Sequence, residues 1–187
     1  MTATATVQEA NGVTPTYNTI TNARFNTNDV YNPGSSDPIP IPAASFNYSY
    51  WKHICLQFTG TFTSVDNIRH YCDGTIAWTL GTAGEVRRGD RDAGDVGCPP
   101  GSYVEATGTP GTTGTDLETG HTYFSGQTSK STPLTGDTAP EGATIDSSAY
   151  TSANDRCYFV VLQVKVDTDA TQGTKATETF TWKYDEI

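Results

Sequence analysis

Residues 158–166 constrain the fold more tightly than any other stretch of the chain. Tyr158, Val160, Leu162, Val164 and Val166 recur at every second position, with Phe159, Val161, Gln163 and Lys165 between them. A period of two marks a β-strand, because successive side chains leave opposite faces of the backbone. The first intervening residues are apolar too, which suits a central strand. Residues 177–184 repeat the pattern, with Phe180, Trp182 and Tyr184 opposite Thr179, Thr181 and Lys183. Residues 50–62 give a third strand, in which Ile54, Leu56 and Phe58 alternate with Cys55, Gln57 and Thr59. The chain also opens in alternation, with Ala3, Ala5, Val7 and Glu9 on one side and Thr2, Thr4, Thr6 and Gln8 on the other. A short strand near a sheet edge is expected there, and another near residues 17–25.

Asp73-Gly74 lies between two β-rich runs, residues 67–72 and 75–80. A type I′ turn needs positive φ at both central positions, so this dipeptide predicts a hairpin, with Ile76, Trp78 and Leu80 as a core stripe. From about residue 81 to 155 the texture changes to Gly, Thr, Asp and Pro. Such segments bury little surface, so long loops or weak outer strands are expected. No window has helical periodicity. The expectation is an all-β fold: one antiparallel β-sandwich domain over residues 1–187, Ig-like or jelly-roll, with very little helix and a loop-rich insertion at about 81–155.

The formal charge of −10 disfavours direct nucleic-acid binding, which needs basic groups to neutralise phosphates, and also disfavours anionic membrane surfaces. The first residues carry neither a basic n-region nor an apolar h-region, so synthesis in a cytoplasm without a signal peptide is expected. No apolar run approaches the ~20 residues needed to cross a bilayer. The four cysteines contain no Cys-x-x-Cys pair, which leaves a zinc ribbon unsupported. They allow three disulfide connectivities. The preferred pairing is Cys72 with Cys98 and Cys55 with Cys157, and the alternative is four reduced thiols in or near the core.

No nucleophile elbow, zincin helix or phosphate loop occurs, and His53, His70 and His121 lie on separate segments, so no catalytic residue and no cofactor is expected. His70 falls on the apolar face of its strand and reads as a core or interface residue. Asp90, Asp92 and Asp95 could offer oxygen ligands to Ca²⁺, but they match no EF-hand loop. The interleaved Arg87, Arg88 and Arg91 favour a salt-bridged loop over a metal site. Tyr48, Tyr50 and Trp51 are candidate contact aromatics, either for a sugar ring or for a subunit interface.

The closing residues 178–187, Glu-Thr-Phe-Thr-Trp-Lys-Tyr-Asp-Glu-Ile, join Thr/Gly-rich loops and an acidic, leaderless β chain. In these features the sequence resembles small virion proteins of tailed viruses, the Ig-like or jelly-roll subunits that decorate or cement capsids or form tail parts. The resemblance implies a structural, non-enzymatic protein in a virion, partnered by copies of itself and by other capsid proteins. The alternative is a carbohydrate-binding or adhesin-like β-sandwich module.

Overall fold

The computed structural model describes residues 2–72, 78–91, 96–131 and 142–187. The period-two stretch near the C-terminus becomes β11 (Val160–Val166), the spine of the larger sheet. On one side β11 pairs with β4 (Lys52–Gly60) and, further along, with β3 (Asn47–Tyr48). On the other side it pairs with β6 (Glu85–Arg88). Outward from β4 lie β1 (Ala3–Asn11) and then β2 (Thr16–Thr19), and outward from β6 lies β9 (Lys130–Ser131). A second sheet has the order β10-β5-β12, from β10 (Ala143–Asp146), β5 (Val65–Cys72) and β12 (Phe180–Glu186). A two-strand ribbon of β7 (Gly108–Thr109) and β8 (Thr113–Gly114) completes the strands among the described residues. The pairings are antiparallel, and the one described α-helix, α1 (Leu117–Gly120), is a single turn. The all-β sandwich architecture is as the alternation predicts.

Register decides which residues share a face. Glu9, Ile54 and Val160 align across β1, β4 and β11, and Ala10, His53 and Val161 align on the opposite face. The Ile54 face, with Val160 and Leu162, packs on Ile145, Phe180 and Trp182 of the second sheet. Further along, Phe58 meets Val65, Ile68 and Tyr184. The His53 face is covered instead by residues 96–129, where Cys98, Ala106, Leu117 and Phe124 join Trp51, Cys55 and Val161 in one buried cluster. The large sheet is therefore the middle layer of three.

Two expectations change, and one lies outside the described residues. The Asp73-Gly74 turn and the start of its second strand fall in residues 73–77, outside the described residues, and residues 78–80 carry no strand. Among the described residues β5 pairs with β10 at Ile68–His70 and with β12 along Val65–Cys72. The opening strand is not a simple edge, because β1 has β4 on one side and β2 on the other at Gln8–Asn11. Finally, residues 81–155 supply β6, β9, β10 and the whole cover of the His53 face, burying Val86, Cys98, Leu117, Phe124 and Ile145.

Candidate functional site

The covered face of the large sheet gathers three metal-ligating side chains from distant segments. β4 aims His53 into the cover. Cys98 is held by a reciprocal bridge with Phe159, each backbone N–H donating to the other's carbonyl at 2.8 Å. His121 closes α1, whose first turn is capped by the Asp116 carboxylate accepting from the Glu118 N–H at 2.9 Å. The Nε2 atoms of His53 and His121 stand 3.0 Å apart, and one ligand atom from each of His53, Cys98 and His121 lies within 4.8 Å of the others. All three side chains are buried.

Aromatic rings fix the imidazoles in place. Tyr103 lies 4.5 Å and Phe159 5.2 Å from His53, and Trp51 lies 5.4 Å and Phe124 5.0 Å from His121, between ring centroids. Phe124 can seat here because residue 89 is glycine: a Cβ there would stand 2.6 Å from Cε2 of the ring. Burial holds both imidazoles neutral, His53 well below its usual value and His121 down to about 4, and it pushes the Cys98 thiol up to about 12. Two neutral imidazoles at this distance share one hydrogen, so one ring donates and the other accepts.

A polar hub ties the cover to the spine. Gln163 of β11 accepts from the Leu117 N–H at 2.9 Å and from Arg87 at 2.6 Å, and it donates to the carbonyls of Ser49 and Thr115 at 2.8 and 2.7 Å. Arg87 also pairs with Asp116 and, at 3.4 Å, with Glu118. Burial alone would raise the Asp116 carboxyl, but the Glu118 N–H and the Arg87 guanidinium outweigh it and leave the group below its usual value.

A second feature lies at one corner of the sandwich. Lys52 and Glu9, both with fully buried side chains, form an ion pair at 2.8 Å, and the ammonium also donates to the Val30 carbonyl at 2.7 Å. Asn11 donates to Glu9 at 3.0 Å and to Asp29 at 2.9 Å, and the Gly12 N–H donates to Asp29 at 2.7 Å. Gly12 turns the chain at φ +88°, a conformation costly for any residue with a Cβ. This network fastens the β1–β2 turn to the loop at residues 29–31. Val13, Val30 and Tyr31, on or next to the residues it fastens, are three of the four large apolar side chains exposed among the described residues, at 81%, 38% and 48%.

The sequence candidates fall as follows. Trp51 is buried, donating from Nε1 to the Val104 carbonyl at 2.9 Å, and Tyr50 is buried too, so neither presents a face to a sugar. Tyr48 is half-buried, with the Arg87 guanidinium 5.0 Å from its ring centre. The four cysteines are free and buried, so the pairs Cys72–Cys98 and Cys55–Cys157 are not formed. Cys157 Sγ instead accepts from the Leu56 N–H at 3.2 Å. Asp92 and Asp95 lie outside the described residues, which leaves Asp90 alone of the Ca²⁺ candidates. Arg87 and Arg88 lie not in the expected salt-bridged loop but in β6, both buried, with Arg87 keeping ion pairs to Asp116 and Glu118. His70 sits between Phe180 and Trp182, with ring centroids at 5.4 and 4.9 Å. The His53–Cys98–His121 cluster and the braced corner were missed. The first has no sequence spacing to reveal it, and the second had one signal, an acidic residue continuing the otherwise apolar face of β1.

A shallow depression beside the cluster is lined by Arg91, Ser102, Tyr103, Tyr123, Ser125 and Gln127. No described helix is long and apolar enough to cross a membrane. No family model, no curated protein and no solved structure matches this chain.

Proposed function

We propose that this chain is a structural subunit that acts through surface contact, in keeping with a small virion protein that decorates or cements a particle. The braced corner carries this reading. Exposed apolar side chains at Val13, Val30 and Tyr31 sit on backbone that a buried ion pair and the Asp29 carboxylate hold in place. A preordered apolar surface loses little entropy when a neighbour covers it, and apolar groups gathered at one place mark contact sites. The neighbour is another copy of the chain or an adjoining particle subunit. Sedimentation tests the reading: the purified chain should self-associate as concentration rises or co-sediment with particles, and Val13→Asp with Tyr31→Ser should abolish this. A chain that stays monomeric at high concentration and never co-sediments would remove it.

The carbohydrate-binding alternative is favoured by one observation, the polar depression in which Arg91 lies 4.5 Å over the Tyr123 ring. A glycan array blank for the wild-type chain, or binding undiminished by Tyr123→Ala, would exclude that site.

A further inference from the structure

We propose that His53, Cys98 and His121 bind one thiol-seeking d¹⁰ metal ion, Zn²⁺ or Cu⁺, which pins the outer cover to the central sheet. Imidazole nitrogen and cysteine sulfur are the donors that both ions prefer. Around a tetrahedral zinc, Zn–N bonds of about 2.0–2.1 Å and Zn–S bonds of about 2.3 Å place neighbouring donor atoms roughly 3.3–3.6 Å apart. The Nε2 atoms of the imidazole pair already stand 3.0 Å apart, and one ligand atom from each of the three residues lies within 4.8 Å of the others. Closing the set takes side-chain adjustments on the order of 1 Å, with no rearrangement of strands.

A second observation points to the same place. His121 Nδ1 is buried with no hydrogen-bond partner among the described residues. An orphaned buried polar atom costs free energy; His70 Nδ1 is likewise without a hydrogen-bond partner among the described residues, but of the two only His121 has a second imidazole and a thiol beside it. Among the described residues the His121 ring makes one side-chain hydrogen bond, to another histidine, and the neighbouring cysteine donates to the Pro99 and Ser102 carbonyls, at 3.7 and 3.4 Å. Coordination through both Nε2 atoms and the sulfur would replace one shared hydrogen and two long thiol contacts with three metal–ligand bonds.

The chemistry balances without an added reactant. The ion displaces the Cys98 thiol proton to solvent and forms the metal–sulfur bond. The hydrogen shared between the two Nε2 atoms moves to Nδ1 of its own ring, freeing both lone pairs. No oxidation occurs. A three-donor site suits Cu⁺ directly, while Zn²⁺ would draw a water from the depression next to Ser102 and Tyr103 as its fourth ligand. The three donors come from β4, from the segment that bridges to Phe159, and from the end of α1. The bond set would thus cross from sheet to cover twice.

The test uses the full chain, reduced and stripped with chelator, then titrated with Zn²⁺, with Co²⁺ as an optical reporter and with Cu⁺ in a separate anaerobic arm. The expected result is one ion per chain, a sulfur-to-cobalt charge-transfer band, and a Tm rise of roughly 5–10 °C at a hundredfold excess over Kd. Cys98→Ser and His121→Asn should each weaken binding beyond the ~10–100-fold that outer-shell changes cost, and Cys72→Ser on β5 should not. Tight binding of either ion with these signatures supports the site. Binding of neither ion, a cobalt spectrum without the sulfur band, or binding that survives both Cys98→Ser and His121→Asn overturns it. The wild-type spectrum decides the matter even if a variant fails to fold, and none of these readouts depends on self-association.

Discussion

Removing the charge of Lys52 alone tests whether the corner is as dry as its geometry indicates. Lys52 Nζ bonds to Glu9 at 2.8 Å and to the Val30 carbonyl at 2.7 Å, and neither charged side chain has any exposure. Lys52→Met would leave the Glu9 carboxylate buried with Asn11 as its hydrogen-bond donor, and its second oxygen already has no partner among the described residues. Breaking a buried pair from one side costs about 3–5 kcal/mol, because the uncompensated charge outweighs the lost attraction. Glu9→Leu should cost about as much from the other side, because it leaves the Lys52 ammonium buried with only the Val30 carbonyl. The double variant Glu9→Leu with Lys52→Met removes both charges at similar volume and orphans mainly the Val30 carbonyl, so about 1–2 kcal/mol is expected. The two single costs therefore exceed the double cost by about 4 kcal/mol or more, a coupling that a double-mutant cycle measures directly. Urea titrations at fixed pH with linear extrapolation give each value. If Lys52→Met cost under about 1 kcal/mol, or if the single effects added, water would reach the pair and the bracing argument would fall.

Three further outcomes follow from the packing. Trp51→Ala should destabilise the fold by about 3–5 kcal/mol, as expected for a large buried ring; a thermal melt close to wild type would contradict its burial. Gly89→Ala should cost about 1–3 kcal/mol by pushing Phe124 off its seat; a neutral result would show that the ring has slack to move. His70 is held neutral, its value lowered to about 3 from the usual 6.5, chiefly by burial and secondarily by the Arg88 charge. The unfolded chain therefore binds a proton at acid pH that the folded chain refuses. Its contribution is full above about pH 6.5 and is lost toward pH 3, at up to about 1.4 kcal/mol per pH unit. His70→Phe should remove about one proton from the pH slope of stability, and an unchanged slope would refute the assignment.

What the sequence reveals depends on whether a signal is local. β4, β11 and β12 are legible because a period of two survives in Ile54–Leu56–Phe58, Val160–Leu162–Val164 and Phe180–Trp182–Tyr184. His70 is legible for the same reason, since its position on the stripe announces its burial. The Asp73-Gly74 turn lies outside the described residues, and the described partners of β5, residues 143–146 and 180–186, come from far along the chain, where no local signal points to them. Glu9, Lys52, Arg87 and Arg88 look like surface residues in sequence yet are buried; Glu9 and Lys52 pair with each other, and Arg87 meets Asp116 and Gln163. The His53–Cys98–His121 cluster spans three segments with no fixed spacing, and only the fold assembles it.

The strand order also sets a clock for folding. β4 meets β11, and β5 meets β12, across more than a hundred residues of chain, so neither sheet can close before the last segment is available. Chains dominated by such distant pairings fold slowly, because the entropy of closing long loops is lost before contacts repay it. Until then the strands that become the middle layer expose unpaired edges, and a ribosome still making residues 160–186 holds a chain with no finished sheet. The low hydrophobicity of residues 81–155 acquires a kinetic meaning from this: a Gly- and Thr-rich stretch can wait in water without collapsing onto the wrong strand.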